Sequence, residues 1–288
     1  MRALVLAILL GLVAVRPVAA DAPTVTLLDA GKGAKKPLRF KVRKGVKKTV
    51  VARMTMGLTM DLAGSPMAQD MPPIDMTFVM KITDVAANGD IRYDITFKRP
   101  RVVATSGTPK AVVTAMTDAM KGVEGITGYS VVSERGFVKA TELAVPATAA
   151  PQIRQMIDSM KQSFEQMSTP VPEEAVGVGA KWDTKTSLTS NGLVIDQTTT
   201  NTIVAVAGNK ATLDIDVVQT AKPQKFSANG ISADLQSYTA SGHGTSVFDF
   251  AALVPAKAQM GMKSNMKMTA AGQNIGVALT LDMALTAK

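Results

Sequence analysis

The chain has 288 residues, of which 46% are hydrophobic but only 4% aromatic, so its 18 methionines and its aliphatic residues supply most of the apolar bulk. It has no cysteine, which excludes disulfides, thiolate metal centres, cysteine nucleophiles and a lipidated cysteine behind an export signal. A formal net charge of +9 favours anionic partners, and a chain of this size can bury a core without covalent staples.

The first twenty residues read as an export signal: Arg2, an apolar run from Ala3 to Val15, then Val18-Ala19-Ala20 at the cleavage positions. The run is short for a membrane span and no later run reaches that length. The expectation is therefore a single exported domain, residues 21–288, in the periplasm or outside the cell. Ten basic residues crowd between Lys32 and Arg53, a stretch suited to an anionic lipid or envelope surface. Nucleic acid is not expected, because the chain reads as exported and only Phe40 among the aromatic residues lies within the basic stretch.

Thr24–Leu28 suggests a short edge strand, Leu38–Val42 a first firm strand, and Thr49–Leu62 a long strand with Met54, Met56, Leu58, Met60 and Leu62 on its apolar side. Ala63–Pro73 reads as a loop. Ile74–Phe97 then alternates on both arms of Asn88-Gly89, the signal of a hairpin with a two-residue turn. That turn predicts Met80 opposite Phe97 and Ile82 opposite Ile95, and it leaves Asp84 against Tyr93 on the apolar face.

Thr108-Pro109 opens a helical stripe of Val112, Met116, Ala119, Met120 and Val123. Tyr129–Ser133 and Phe137–Ala140 read as a short hairpin. Pro151 starts a second amphipathic helix through Ile153, Met156, Ile157, Met160, Phe164 and Met167. Trp182–Leu188 and Leu193–Val206 alternate about Asn191-Gly192. Val204–Val217 then parallels Thr83–Thr96, as if a meander had been duplicated. Thr245–Phe250, Gln259–Met268 and Asn274–Thr286 complete the strands.

The predicted fold is α+β: a large, curved, half-barrel-like antiparallel sheet carrying two amphipathic helices. Its sheet halves are expected at about 38–98 and 176–287, with a helical insert at about 108–168. The signal, KGVKKTVVARMTMGLTMDL, TDVAANGDIRYDITF, PVPEEAVGVGAKW and SGHGTSVFDF together resemble a family of secreted bacterial proteins of unknown function. The layout is more distantly similar to half-barrel lipoprotein carriers of the LolA and LprG kind. That likeness implies an acyl chain held between sheet and helices.

No catalytic constellation stands out. His243, the only histidine, lies between two glycines, and no nucleophile elbow accompanies it. Ser264-Asn265-Met266-Lys267 matches an SxxK string but falls in a strand rather than at a helix start. Glu173-Glu174, Asp75, Asp94, Asp214 and Asp216 form no paired-carboxylate pocket. The methionines could bind Cu(I) through soft thioethers, with Met67 and Met71 in a loop as the candidates a core does not require. No metal or cofactor is predicted. The expected function is non-enzymatic binding of an apolar or lipid-like ligand. Its walls would be Met54, Met56, Met76, Phe78, Met80, Met116, Met120, Met156, Met160 and Phe164. The alternatives are an interaction module with a solid core and, third, copper binding.

Overall fold

The computed structural model describes residues 22–62, 64–105, 107–145, 154, 157, 161, 170–190, 192–228 and 231–288. Residues 1–20 lie outside this set, as does the second expected helix apart from Arg154, Ile157 and Lys161. In the first half the strands are β1 (Thr24–Asp29), β2 (Lys32–Pro37), β3 (Lys47–Leu62), β4 (Ser65–Asp70), β5 (Ile74–Val85), β6 (Ile91–Phe97), β7 (Arg101–Val102), β8 (Thr127–Val132) and β9 (Val138–Leu143). In the second they are β10 (Ala175–Val178), β11 (Lys181–Ser190), β12 (Leu193–Ala207), β13 (Lys210–Ala221), β14 (Gln224–Ala228), β15 (Ile231–Asp249), β16 (Lys257–Ala270) and β17 (Gln273–Ala287).

Fifteen strands form one antiparallel sheet in the order β1-β11-β12-β13-β15-β16-β17-β3-β5-β6-β8-β9, with β14, β4 and β7 paired alongside; β2 and β10 pair separately. The last strand, β17, joins the two halves by lying against β3, where Leu281 faces Met56 and Leu279 faces Leu58. One buried cluster collects Val25 and Leu27 from one margin of the sheet and Val132 and Leu143 from the other, so the sheet is curled on itself. Glycine assists the curl. A Cβ on Gly244 would stand 2.2 Å from the Gln259 carbonyl, and one on Gly128 would stand 2.1 Å from that of Glu142. Only glycine lets these neighbouring backbones approach so closely.

The α+β expectation is overturned. Among the described residues strands hold 66%, and α1 (Lys110–Ala119) is a short helix that buries none of its residues. Of its expected stripe, Val123 is buried, but in the 3-10 turn Lys121–Val123 that follows. The helix packs chiefly on β7 and that turn. A sheet this wide curls far enough to bury much of its own inner face. Chain segments close it, and of the expected second helix Ile157 is described as helical and buried in the main core. Leu38, Phe40 and Val42 enter the core, and the Phe40 ring lies 5.2 Å from that of Phe250. Leu38–Val42, expected as a strand, keeps the alternation without a ladder. Its backbone bonds singly, Phe40 N–H to the Glu134 carbonyl and Lys41 N–H to that of Phe250.

Two local expectations also change. The supposed loop Ala63–Pro73 contains β4, which folds back on β3 with Met67 opposite Met60. In the β5–β6 hairpin Met80 faces Ile95 and Ile82 faces Tyr93, and the arms close at Val85 and Ile91 around residues 86–90. The longer turn and a bulge between Ile82 and Asp84 move Asp84 off the apolar face to a place opposite Arg92. The β12–β13 hairpin is bulged between Ile203 and Ala205, the position that the repeat alignment equates with the first. A two-residue turn at Gly208-Asn209 would pair Val206 with Ala211 and Val204 with Leu213; Val206 does meet Ala211, but Leu213 meets Ile203.

Candidate ligand-binding face

Side chains alternate along each strand, so the inner face can be followed across the sheet from partner to partner. Met54, Met283 and Met260 stand side by side on β3, β17 and β16, and Met56, Leu281 and Met262 form the next row. All six are half-buried. They fall between two closed clusters: the main core on one side, and Leu58, Met60, Met268 and Ile275 on the other.

Beside this strip β15 turns Gly242 and Gly244 inward, opposite Val217 and Ile215 of β13, and farther along the strands Tyr238 of β15, Gln219 of β13 and Gln197 of β12 make the same face polar. The Gln219 amide donates to the Gln197 Oε1 at 2.6 Å, and the Tyr238 hydroxyl donates to the Gln219 Oε1 at 2.7 Å. Burial pushes the Tyr238 hydroxyl pKa up, and its bond to Ser264 partly offsets that. Asn201 lies between Trp182 and Ile215 at an inner position and is 0% exposed. Neither atom of its carboxamide has a hydrogen-bond partner, and neither do the buried hydroxyls of Thr184 and Ser246.

The profile of a family of unknown function (DUF6263) matches residues 156–252 of the chain. That span holds Thr184, Gln197, Asn201, Gln219, Tyr238 and Ser246 but none of β16, β17 or β3. No curated protein matches the chain. No helix among the described residues is long and apolar enough to cross a membrane.

Of the predicted wall, Met54 and Met56 lie on the half-buried strip. Phe78 and Met80 are buried in the main core, with Met76 packed against it. Met116 and Met120 are half-buried on and just after α1, which keeps to β7 and the 3-10 turn. Met156, Met160 and Phe164 lie outside the described residues. Sequence reasoning passed over Leu281 and Met283 as wall residues, and Asn201, Gln219 and Tyr238 altogether. The available signal was Gln197, Thr199 and Asn201 at alternate positions of β12, polar residues on the side where Ile195 and Ile203 set the inward face.

His243 is on the outer face, its Nδ1 2.9 Å from Asp216 and its Nε2 3.4 Å from Asp214. The hydrogen bond to Asp216, then the charge of Asp214, raises its pKa. Ser264 faces inward toward Tyr238, while Lys267, three residues on, is exposed on the other side of β16. The SxxK pair is thus split between faces.

The basic stretch divides in two. Arg39 is structural, bonded to Glu134, the Pro172 carbonyl and the Glu173 carbonyl, and Arg53 is bound to Asp75. Lys41, Arg43, Lys44 and Lys47 are exposed at one end of the sheet. The register brings exposed Lys81 (opposite Lys47), Lys210, Lys257 and Lys288 to the same end.

Proposed function

We propose that this is an exported, non-enzymatic protein of the cell envelope that holds an apolar or lipid-like ligand against the inner face of its curled sheet. One observation carries the reading: the strip of Met54, Met56, Met260, Met262, Leu281 and Met283 stays half-buried between two closed clusters. Methionine is flexible and polarisable and packs against varied apolar shapes. Export rests on the pattern of the first twenty residues. The likeness to half-barrel lipoprotein carriers rests on the sequence pattern alone, and it carries no function by itself. The cluster of exposed cations at one end suits contact with an anionic surface.

Native mass spectrometry of gently purified protein tests the reading. Co-purifying lipid, together with displacement of a fluorescent fatty-acid probe that is lost in Met56→Gln/Leu281→Gln, is the expected result. Protein that is clean and unresponsive to the probe refutes it. A second reading, an interaction module with a solid core, is favoured by the two closed clusters that flank the strip.

A further inference from the structure

We infer that the polar half of the inner face recognises an uncharged, hydroxyl-bearing head group, so that the ligand is a neutral single-chain amphiphile such as an acylglycerol or alkyl glycoside. The inference rests on the apolar-ligand reading and adds to it a chemical class. The inner face changes character along the row of strands: β3, β16 and β17 present Met54, Met56, Met260, Met262, Leu281 and Met283, whereas β11 and β12 present Thr184, Thr186, Gln197, Thr199 and Asn201, with Gln219 beside them on β13. Between the two lie Gly242 and Gly244 of β15 and, opposite them on β13, Val217 and Ile215, an apolar bridge along which a chain can run from the methionines to the amides.

The donors and acceptors of the polar half are amides and hydroxyls. From Trp182 on β11 across to Phe97 on β6, the inner positions of the described strands carry one charged residue, Lys48, at the rim. An anionic head would find no counter-charge there, and burying it unpaired is costly. A polyol fits, because each hydroxyl both donates and accepts and so suits carboxamides and hydroxyls alike. The second observation is the set of orphaned groups. Asn201 is fully buried with both carboxamide atoms unpartnered, and Thr184, opposite Thr199, buries an unpartnered hydroxyl. Such groups are a standing cost to the free protein, and hydrogen-bonding partners from a ligand would remove it.

The test compares 1-lauroylglycerol with laurate, both below their aggregation concentrations, by calorimetric titration. Parent protein is expected to prefer the glyceride by about tenfold, the scale of one buried hydrogen bond made or lost. Asn201→Leu and Thr199→Val are expected to abolish that preference while still binding both compounds. Asn201→Leu also raises the unfolding midpoint, because it removes an unsatisfied amide; a purely structural asparagine would lower it. Equal or tighter binding of laurate overturns the head-group inference and leaves the apolar reading standing. Failure to bind either compound overturns both. Thr199 is only half-buried, so its variant reports even where Asn201→Leu fails to fold.

Discussion

Arg53 on β3 and Asp75 on β5 face each other across the ladder, and the guanidinium takes both carboxylate oxygens, Nε to Oδ1 at 2.6 Å and Nη2 to Oδ2 at 2.9 Å. Arg101 on β7 adds a second fork to Oδ2 at 3.2 and 2.6 Å. One carboxylate thereby ties three strands where the sheet would otherwise fray.

This clamp predicts acid sensitivity. The Arg53 hydrogen bond holds the Asp75 carboxyl down at about 2, against an ordinary value of 3.8, despite opposing burial. A depressed carboxylate stabilises the fold fully above its unfolded value, and that contribution is lost as pH falls from about 4 towards 2. Both arginines are more than half exposed, which screens the pair, so the expected contribution is about 1–2 kcal/mol. Urea unfolding followed by the emission of Trp182, which is fully buried, should show the loss. Asp75→Asn should be less stable at neutral pH and lose less stability than parent between pH 4 and 2, where carboxyls such as Asp90, also lowered by its bond to Lys139, still contribute. An unchanged pH profile in that variant would show that the clamp contributes nothing.

His243 titrates the opposite way. Both ring nitrogens face carboxylates, so the doubly protonated ring is the form the site favours. A raised histidine contributes stability below its unfolded value near 6.5, and the contribution disappears as pH rises through the folded value. NMR titration of the His243 ring should give a midpoint above the ordinary one. Asp216→Asn, which removes the largest cause, should bring it down. The same midpoint in the variant would assign the shift to Asp214 alone.

How much of this was legible in the sequence depended on range. Period-two alternation located β3, β5, β6, β11, β12, β16 and β17, and the hairpin between β16 and β17 falls where Ala271-Gly272 lies, with φ of 50° and 75°. Local pattern did not settle what lies against what. The stripe on Lys110–Ala119 is amphipathic, yet the partnership of β17 with β3, more than two hundred residues apart, lets the sheet curl over its own face and leaves that helix outside. The hairpin register was missed by two residues because Asn88-Gly89 invites a tight turn. Asp84, which that register sets against Tyr93, was the visible conflict. The methionine strip was half legible, with Met54 and Met56 found and their partners on β17 not. Asn201 was invisible, because burial of a polar residue without a partner is a property of the tertiary structure.

Glycine geometry gives a sharp stability test. A Cβ on Gly244 would collide with the Gln259 carbonyl at 2.2 Å, and backbone of the neighbouring strand cannot move aside cheaply. Gly244→Ala is expected to destabilise by about 2–4 kcal/mol, in the range of forced overpacking and above. Gly107→Ala, where nothing lies within 4 Å and φ is ordinary, should stay within about 0.5 kcal/mol of parent. Equal midpoints for the two variants in thermal unfolding would mean that β15 and β16 are not drawn together as described.

The basic end makes a prediction about surfaces. Lys41, Arg43, Lys44 and Lys47 come from one stretch of sequence, but Lys81, Lys210, Lys257 and Lys288 reach the same end only through the sheet. Each cation near an anionic bilayer contributes about 1 kcal/mol, and the attraction falls off within a Debye length. Sedimentation with vesicles containing about a third phosphatidylglycerol should therefore show binding at low salt that weakens steeply towards 0.5 M, consistent with ~3 Å screening at molar ionic strength. Replacing Lys41, Arg43, Lys44 and Lys47 together by glutamine should weaken it by at least about a hundredfold, four such contributions being only partly additive. Replacing Lys222 and Lys225, exposed at the opposite end of the strands, should leave it near parent. Equal losses from both ends would mean that net charge alone drives the association and that this end is not a docking surface.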